Sequence, residues 1–154
     1  MDPKVALDSH LYRVDVEWVG ERTGHLKAGG LPTLTVSAPP EFAGQAGVWT
    51  PEHLLVAATA SCLMSTFLAI AQVVKLPVIS YRMTASGKLE NVPGEGYRFT
   101  EIVLAPQVRV NPWDVEKAEK VMAKAEKKGF ISNSLRSAVR VEPNIEAALL
   151  ERAG

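Results

Sequence analysis

The longest apolar-rich run in the chain, Leu54 to Leu76, constrains its fold more than any other feature. Thr50 suits the cap of a helix that starts there, Pro51 its first turn, and Glu52 the positive end of its dipole. Pro77 bars the helix from continuing much beyond Lys75. At roughly 1.5 Å per residue such a helix crosses a whole domain. Thr59, Ser61, Ser65, Thr66, Gln72 and Lys75 interrupt the run, and its small residues fit close protein packing better than contact with lipid. The expectation is therefore a central, buried helix with other elements on several sides, because it is apolar almost all round.

The flanking segments read mainly as strands. Tyr12, Val14, Val16 and Trp18 alternate with Arg13, Asp15 and Glu17, the period-two pattern of a strand with one wet face. Gly20 to Gly24 reads as a hairpin turn, and His25–Ala28 and Thr33–Ser37 continue an antiparallel meander. After the helix, Ile79 to Ser86 alternates again. The loop Asn91 to Gly96 returns the chain into Tyr97–Val110, whose alternation slips phase around Glu101-Ile102-Val103, predicting a bulge. Asn111-Pro112-Trp113-Asp114 opens a second helix with Ala118, Val121, Met122 and Ala125 on its apolar face. Gly129 is the expected left-handed stop. A short turn or helix at Ser132–Ser134, a last strand at Val139–Glu142 and a terminal helix at Asn144–Arg152 complete the reading. This is an α+β fold with mainly antiparallel sheet.

A length of 154 residues suits one domain, 1–154, with a core that needs no disulfide or structural metal. Seventeen basic and seventeen acidic side chains cancel, so no global field draws the protein to nucleic acid or anionic lipid. The first residues lack a basic start and an apolar core, so no secretory signal is expected and the cytoplasm is the expected location.

Cys62 is the one cysteine. Leu55, Ala58, Thr59, Ser65, Thr66 and Ala69 share its helix face. Periodicity leaves it open between an inert core residue and a reactive centre. A reactive thiol needs a cation nearby, and an arginine serves best because its planar fork also binds oxygens. Arg13, Arg22, Arg82, Arg98, Arg109, Arg136 and Arg140 are all candidates. His10, His25 and His53 share no metal-ligand spacing, and no metal or other cofactor is expected. His53 lies nine residues before Cys62, on the opposite face of a regular helix.

Three segments in order narrow these choices. Pro51-Glu52-His53-Leu54-Leu55-Val56-Ala57-Ala58-Thr59-Ala60-Ser61-Cys62 resembles the approach to the peroxidatic cysteine in the OsmC/Ohr superfamily, the osmotically inducible protein C and organic hydroperoxide resistance proteins. Gly20-Glu21-Arg22-Thr23-Gly24 is similar to the arginine turn of its hydroperoxide reductases. Ile131-Ser132-Asn133-Ser134-Leu135 resembles the segment after the family's second cysteine. The resemblance covers nearly the whole chain.

It implies an OsmC-like fold and an intertwined homodimer. It implies Cys62 as attacking thiolate, Arg22 as its activator and substrate-orienting group, and Glu52 as the carboxylate that holds Arg22, leaving open which chain supplies the last two. The implied activity is reduction of organic hydroperoxides, or hydrogen peroxide, by a thiol peroxidase. The chain departs from the family at Gly129, which stands where self-resolving members carry their second cysteine. Regeneration would then need an external thiol or dithiol. The competing reading is a non-enzymatic, dimeric binding protein for an apolar small molecule, or a redox sensor.

Overall fold

The computed structural model describes residues 8–149. They form two compact units, one up to Pro51 and one from Glu52 onward.

In the first unit, β1 (Asp15–Gly20), β2 (Thr23–Lys27) and β3 (Leu34–Ser37) form an antiparallel meander in that order. The turn between β1 and β2 closes on the Gly20–Thr23 pair, with Gly20 at φ 143° and Glu21 at φ 47°. Such angles are free for glycine and costly for other residues. Gly24 has a different reason: a Cβ there would meet the Glu17 carbonyl oxygen at 3.0 Å. The alternation in β1 predicts one dry face, yet Val16 is 69 % and Trp18 75 % exposed.

The second unit begins with α1 (Pro51–Val73), close to the expected limits. Its end is set by Lys75, left-handed at φ 56°, with the Leu76 amide donating to the Ala71 carbonyl at 2.8 Å. That is the closing bond of a Schellman cap, here without glycine. Over its most apolar 18 residues the mean hydropathy is 2.1, so α1 is long and apolar enough to cross a membrane by length and composition. In the fold, Leu63, Phe67 and Ala71 make it one wall of the core. Met64, Leu68 and Val73 remain exposed, so one chain encloses the helix on fewer sides than its all-round apolarity predicts.

The sheet beneath it is a long hairpin, β4 (Val78–Val92) and β5 (Gly96–Val110). Ile102, Leu104, Val108 and Val110 of β5 point into the core, as a period-two strand requires. The predicted slip exists one residue early: Lys88 pairs with Glu101 and Leu89 with Phe99, so Thr100 is the extra residue of a bulge. The other edge of β5 takes two short parallel strands, β6 (Ala138–Val141) and then β7 (Asn144–Ala147). Pro106 falls in the gap between them, where a residue without an N–H interrupts neither pairing. Between β5 and β6 run α2 (Val115–Lys128) and the short α3 (Phe130–Asn133). The predicted Ala118, Val121, Met122 and Ala125 are buried.

Two expectations are corrected. Asn144–Ala147 is a strand, not the start of a terminal helix, because β5 still offers an unpaired edge that backbone bonding fills. Residues 150–152 of that proposed helix lie outside the described ones. Gly129 ends α2 at φ −64°, ψ 116°, extended rather than left-handed, because the chain passes directly into α3.

Candidate functional site

Arg22 stands at the tip of the β1–β2 turn, exposed. Its guanidinium donates to the Phe42 carbonyl, and its own carbonyl accepts from the Ser37 hydroxyl at 3.1 Å. Ser37, 2 % exposed, also accepts from the Gln45 amide at 2.9 Å, while Thr23 Oγ1 lies 3.2 Å from Gln45 Oε1. The arginine is therefore held from both ends. Beneath it, Val16, Trp18, Val36 and Ala38 line a groove of about 320 Å³, with Arg22 and Thr23 supplying its polar edge. Such an arrangement suits a molecule with an apolar body and an oxygen-bearing end.

Ser37 and Gln45 were not identified from sequence. Ser37 does carry a signal, since a small hydroxyl ends an otherwise apolar-patterned strand. A backbone acceptor such as Phe42 carries none.

Glu52 occupies the first turn of α1, where the helix dipole favours an acid. It is partly buried, and its Oε2 is shielded from solvent with no hydrogen-bond partner among the described residues. A carboxylate oxygen in that state is costly unless a donor reaches it.

Cys62 lies mid-helix, partly exposed and free. The hydroxyls around it are occupied by their own helix: Thr59 donates to Leu55 O at 2.8 Å, Ser61 to Ala57 O at 2.8 Å, and Ser65 to Cys62 O at 3.1 Å. Their backward bonding leaves the thiol face weakly polar and lined by small groups. Glu52 and Cys62 are ten residues apart on one helix, about 15 Å along its axis, so the carboxylate does not touch the thiol itself. Arg22 belongs to the first unit. Among the described residues no three histidine, cysteine or acidic side chains cluster as metal ligands.

Comparison with known proteins sets this geometry in context. The uncharacterised Bacillus subtilis protein YmaD is 28 % identical over 148 residues, covering 92 % of this chain and 95 % of YmaD. An OsmC-like protein of unknown function from Vibrio cholerae superposes with a TM-score of 0.80 at 26 % identity, over 88 % of this chain and 99 % of its own. The organic hydroperoxide resistance protein OsmC from Legionella pneumophila superposes with a TM-score of 0.71 at 28 % identity, over 90 % and 100 % of the two chains. The family model described as OsmC-like protein matches residues 44–144, a span that includes Glu52, Cys62 and Gly129 but not Arg22. On that match and those superpositions, the chain belongs to the OsmC-like family.

Proposed function

We propose that the protein is a cytoplasmic thiol peroxidase that reduces organic hydroperoxides through Cys62, its two compact units working as one functional domain. The observation that carries the reading is the free, partly exposed Cys62 at mid-helix, in a family whose members include an organic hydroperoxide resistance protein. The apolar groove edged by Arg22 favours an organic substrate over hydrogen peroxide. The Glu52 oxygen left without a partner among the described residues is what a carboxylate that anchors a guanidinium would present.

In this reading the Cys62 thiolate attacks the distal peroxide oxygen. The O–O bond breaks, the alkoxide leaves and takes up a proton as the alcohol, and sulfur retains the oxygen as a sulfenic acid. Arg22 stabilises the charge that develops on the departing oxygen, and Glu52 keeps Arg22 in place. Cys62 is the one cysteine in the chain. An external thiol therefore condenses with the sulfenic acid, releasing water and leaving a mixed disulfide, and a second thiol equivalent frees Cys62.

The exposed Val16 and Trp18 of β1, with Met64 and Leu68 of α1, support a homodimer, since a second copy would withdraw them from water.

The test is consumption of cumene hydroperoxide in the presence of a dithiol. Wild type is expected to turn over and Cys62→Ser to be inactive. Equal rates would end the enzymatic reading in favour of a binding protein.

A further inference from the structure

The open face of the sheet carries a recess of about 330 Å³, lined by Ser80 and Arg82 of β4, Gln107, Val108 and Arg109 of β5, and Glu146 of β7. Strand alternation places its polar side chains. Tyr81, Val108 and Val110 pack on the core side, so Ser80, Arg82, Gln107 and Arg109, at the intervening positions, face outward and are exposed. Register makes them neighbours: Ser80 pairs with Arg109, Arg109 with Glu146, and Arg82 with Gln107. Arg82 and Arg109 are therefore diagonal across the β4–β5 pair, about 7–8 Å apart and within reach of one another's long side chains.

Among the described residues, every other cation of this sheet has a carboxylate. Lys88 pairs with Glu90, Arg98 with Glu95, Arg109 with Glu146, and Arg140 with Glu101 and Glu142. Arg82 has no ion pair or side-chain hydrogen bond among them, and neither the Ser80 hydroxyl nor the Gln107 carboxamide has a hydrogen bond there. The Arg109 pair is itself loose, with Nε 3.7 Å from Glu146 Oε2, beyond hydrogen-bond length. Asn144 holds the other oxygen of Glu146 at 2.9 Å. Two guanidiniums against one carboxylate leave a positive charge in the recess, with two further side chains able to donate beside it.

We propose that this recess binds the phosphoryl group of a small, soluble phosphate ester. A phosphoryl group presents three acceptor oxygens in different directions, which two guanidinium forks, a hydroxyl and a carboxamide N–H can meet together. A carboxylate has two coplanar oxygens and is satisfied by one fork. The cations named on this sheet are matched in number by its carboxylates, so the face as a whole offers no field to an anionic bilayer. The site stands apart from the peroxidase reading, since none of its residues belongs to α1 or to the first unit.

The experiment is titration of the full-length, isotope-labelled protein with inorganic phosphate and with glycerol 3-phosphate at low salt, followed by backbone amide chemical shifts. Saturable shifts are expected at residues 80–82 and 107–109, with none from acetate at equal ionic strength. Arg82→Gln is expected to weaken phosphate binding about tenfold, and Arg82→Lys to recover part of it, because the charge returns without the fork. Glu146→Gln should tighten it by about threefold, since removing the carboxylate removes a repulsion.

Shifts at these amides that fail to saturate, or that saturate equally in Arg82→Gln, would overturn the site. Vesicles containing phosphatidic acid should not carry the protein down on sedimentation. Co-sedimentation that Arg82→Gln abolishes would overturn the soluble ligand in favour of a lipid headgroup.

Discussion

Gly87 of β4 lies against Val56 of α1: a Cβ at position 87 would come within 2.7 Å of Val56 Cγ2 and 2.8 Å of Phe99 Cε1. The helix is thus seated on the sheet six residues before Cys62 by the absence of one methyl group. Gly87→Ala is expected to destabilise the protein by about 1–3 kcal/mol through overpacking, measured by urea denaturation. A change within a few tenths of a kcal/mol would mean that Val56 and Phe99 yield freely.

Arg22 and Glu52 are expected to act on rate without contributing the reacting atom. Arg22→Ala should lower hydroperoxide consumption by about 100-fold, and Arg22→Lys should recover only part of it, because an ammonium keeps the charge but not the fork. Glu52→Gln, which keeps shape and loses charge, should fall between Arg22→Ala and wild type. Wild-type kinetics in both variants would remove the two residues from the mechanism.

Placing a thiol at the departure from the family pattern gives a direct distance test. Gly129→Cys, treated with one equivalent of hydroperoxide, is expected to form an intramolecular disulfide with Cys62. Mass spectrometry of the non-reduced digest reads it. A sulfenic acid at Cys62 beside a free thiol at position 129 would place the positions beyond the roughly 7 Å between Cα atoms that a disulfide tolerates.

The Tyr81 ring packs on Phe67, with centroids 5.5 Å apart, and its hydroxyl is shielded from solvent with no hydrogen-bond partner among the described residues. Burial raises its pKa to about 12. An unfolded tyrosine ionises near pH 10, so its contribution to stability is complete below about pH 10 and is lost as pH rises towards 12. Tyr81→Phe should gain about 1 kcal/mol at neutral pH by removing the unpaired hydroxyl, and should flatten the alkaline loss between pH 10 and 12. Thermal melts across that range decide the matter, and a variant as alkali-sensitive as wild type would contradict it.

A charge on the uncovered face of α1 tests association. Wild type is expected to scatter light as a dimer at micromolar concentration, and Leu68→Glu as a monomer, since a buried, unpaired carboxylate is costly. A monomeric wild type would refute the homodimer.

Local chemistry was sufficient for much of the architecture. Alternation in β1 and β4 and the three-four spacing of Ala118, Val121, Met122 and Ala125 are short-range patterns, and each produced its element, whereas Asn111 to Asp114, expected to cap and open α2, gives a 3-10 turn at Pro112–Asp114 with no side-chain cap hydrogen bond before α2 starts at Val115. The expected terminal helix failed because Asn144–Ala147 answers to β5, more than thirty residues earlier in the chain, and no local pattern encodes a vacant sheet edge. Gly129 failed for a related reason: a helix-stop glycine was expected to turn left-handed, whereas the immediate start of α3 imposes an extended angle.

By itself the sequence determined one long apolar helix carrying a lone cysteine, strands on either side of it, and family-like segments that single out Arg22 and Glu52. Only the tertiary structure decided that Ser37 and Phe42 grip Arg22 from two sides, that Glu52 keeps a carboxylate oxygen without a partner among the described residues, and that Gly129, Leu63 and Leu104 line one cavity. The division is physical. Periodicity and capping act over a few residues of one segment, whereas a hydrogen bond across twenty residues or a void between helix and sheet exists only once distant segments have packed.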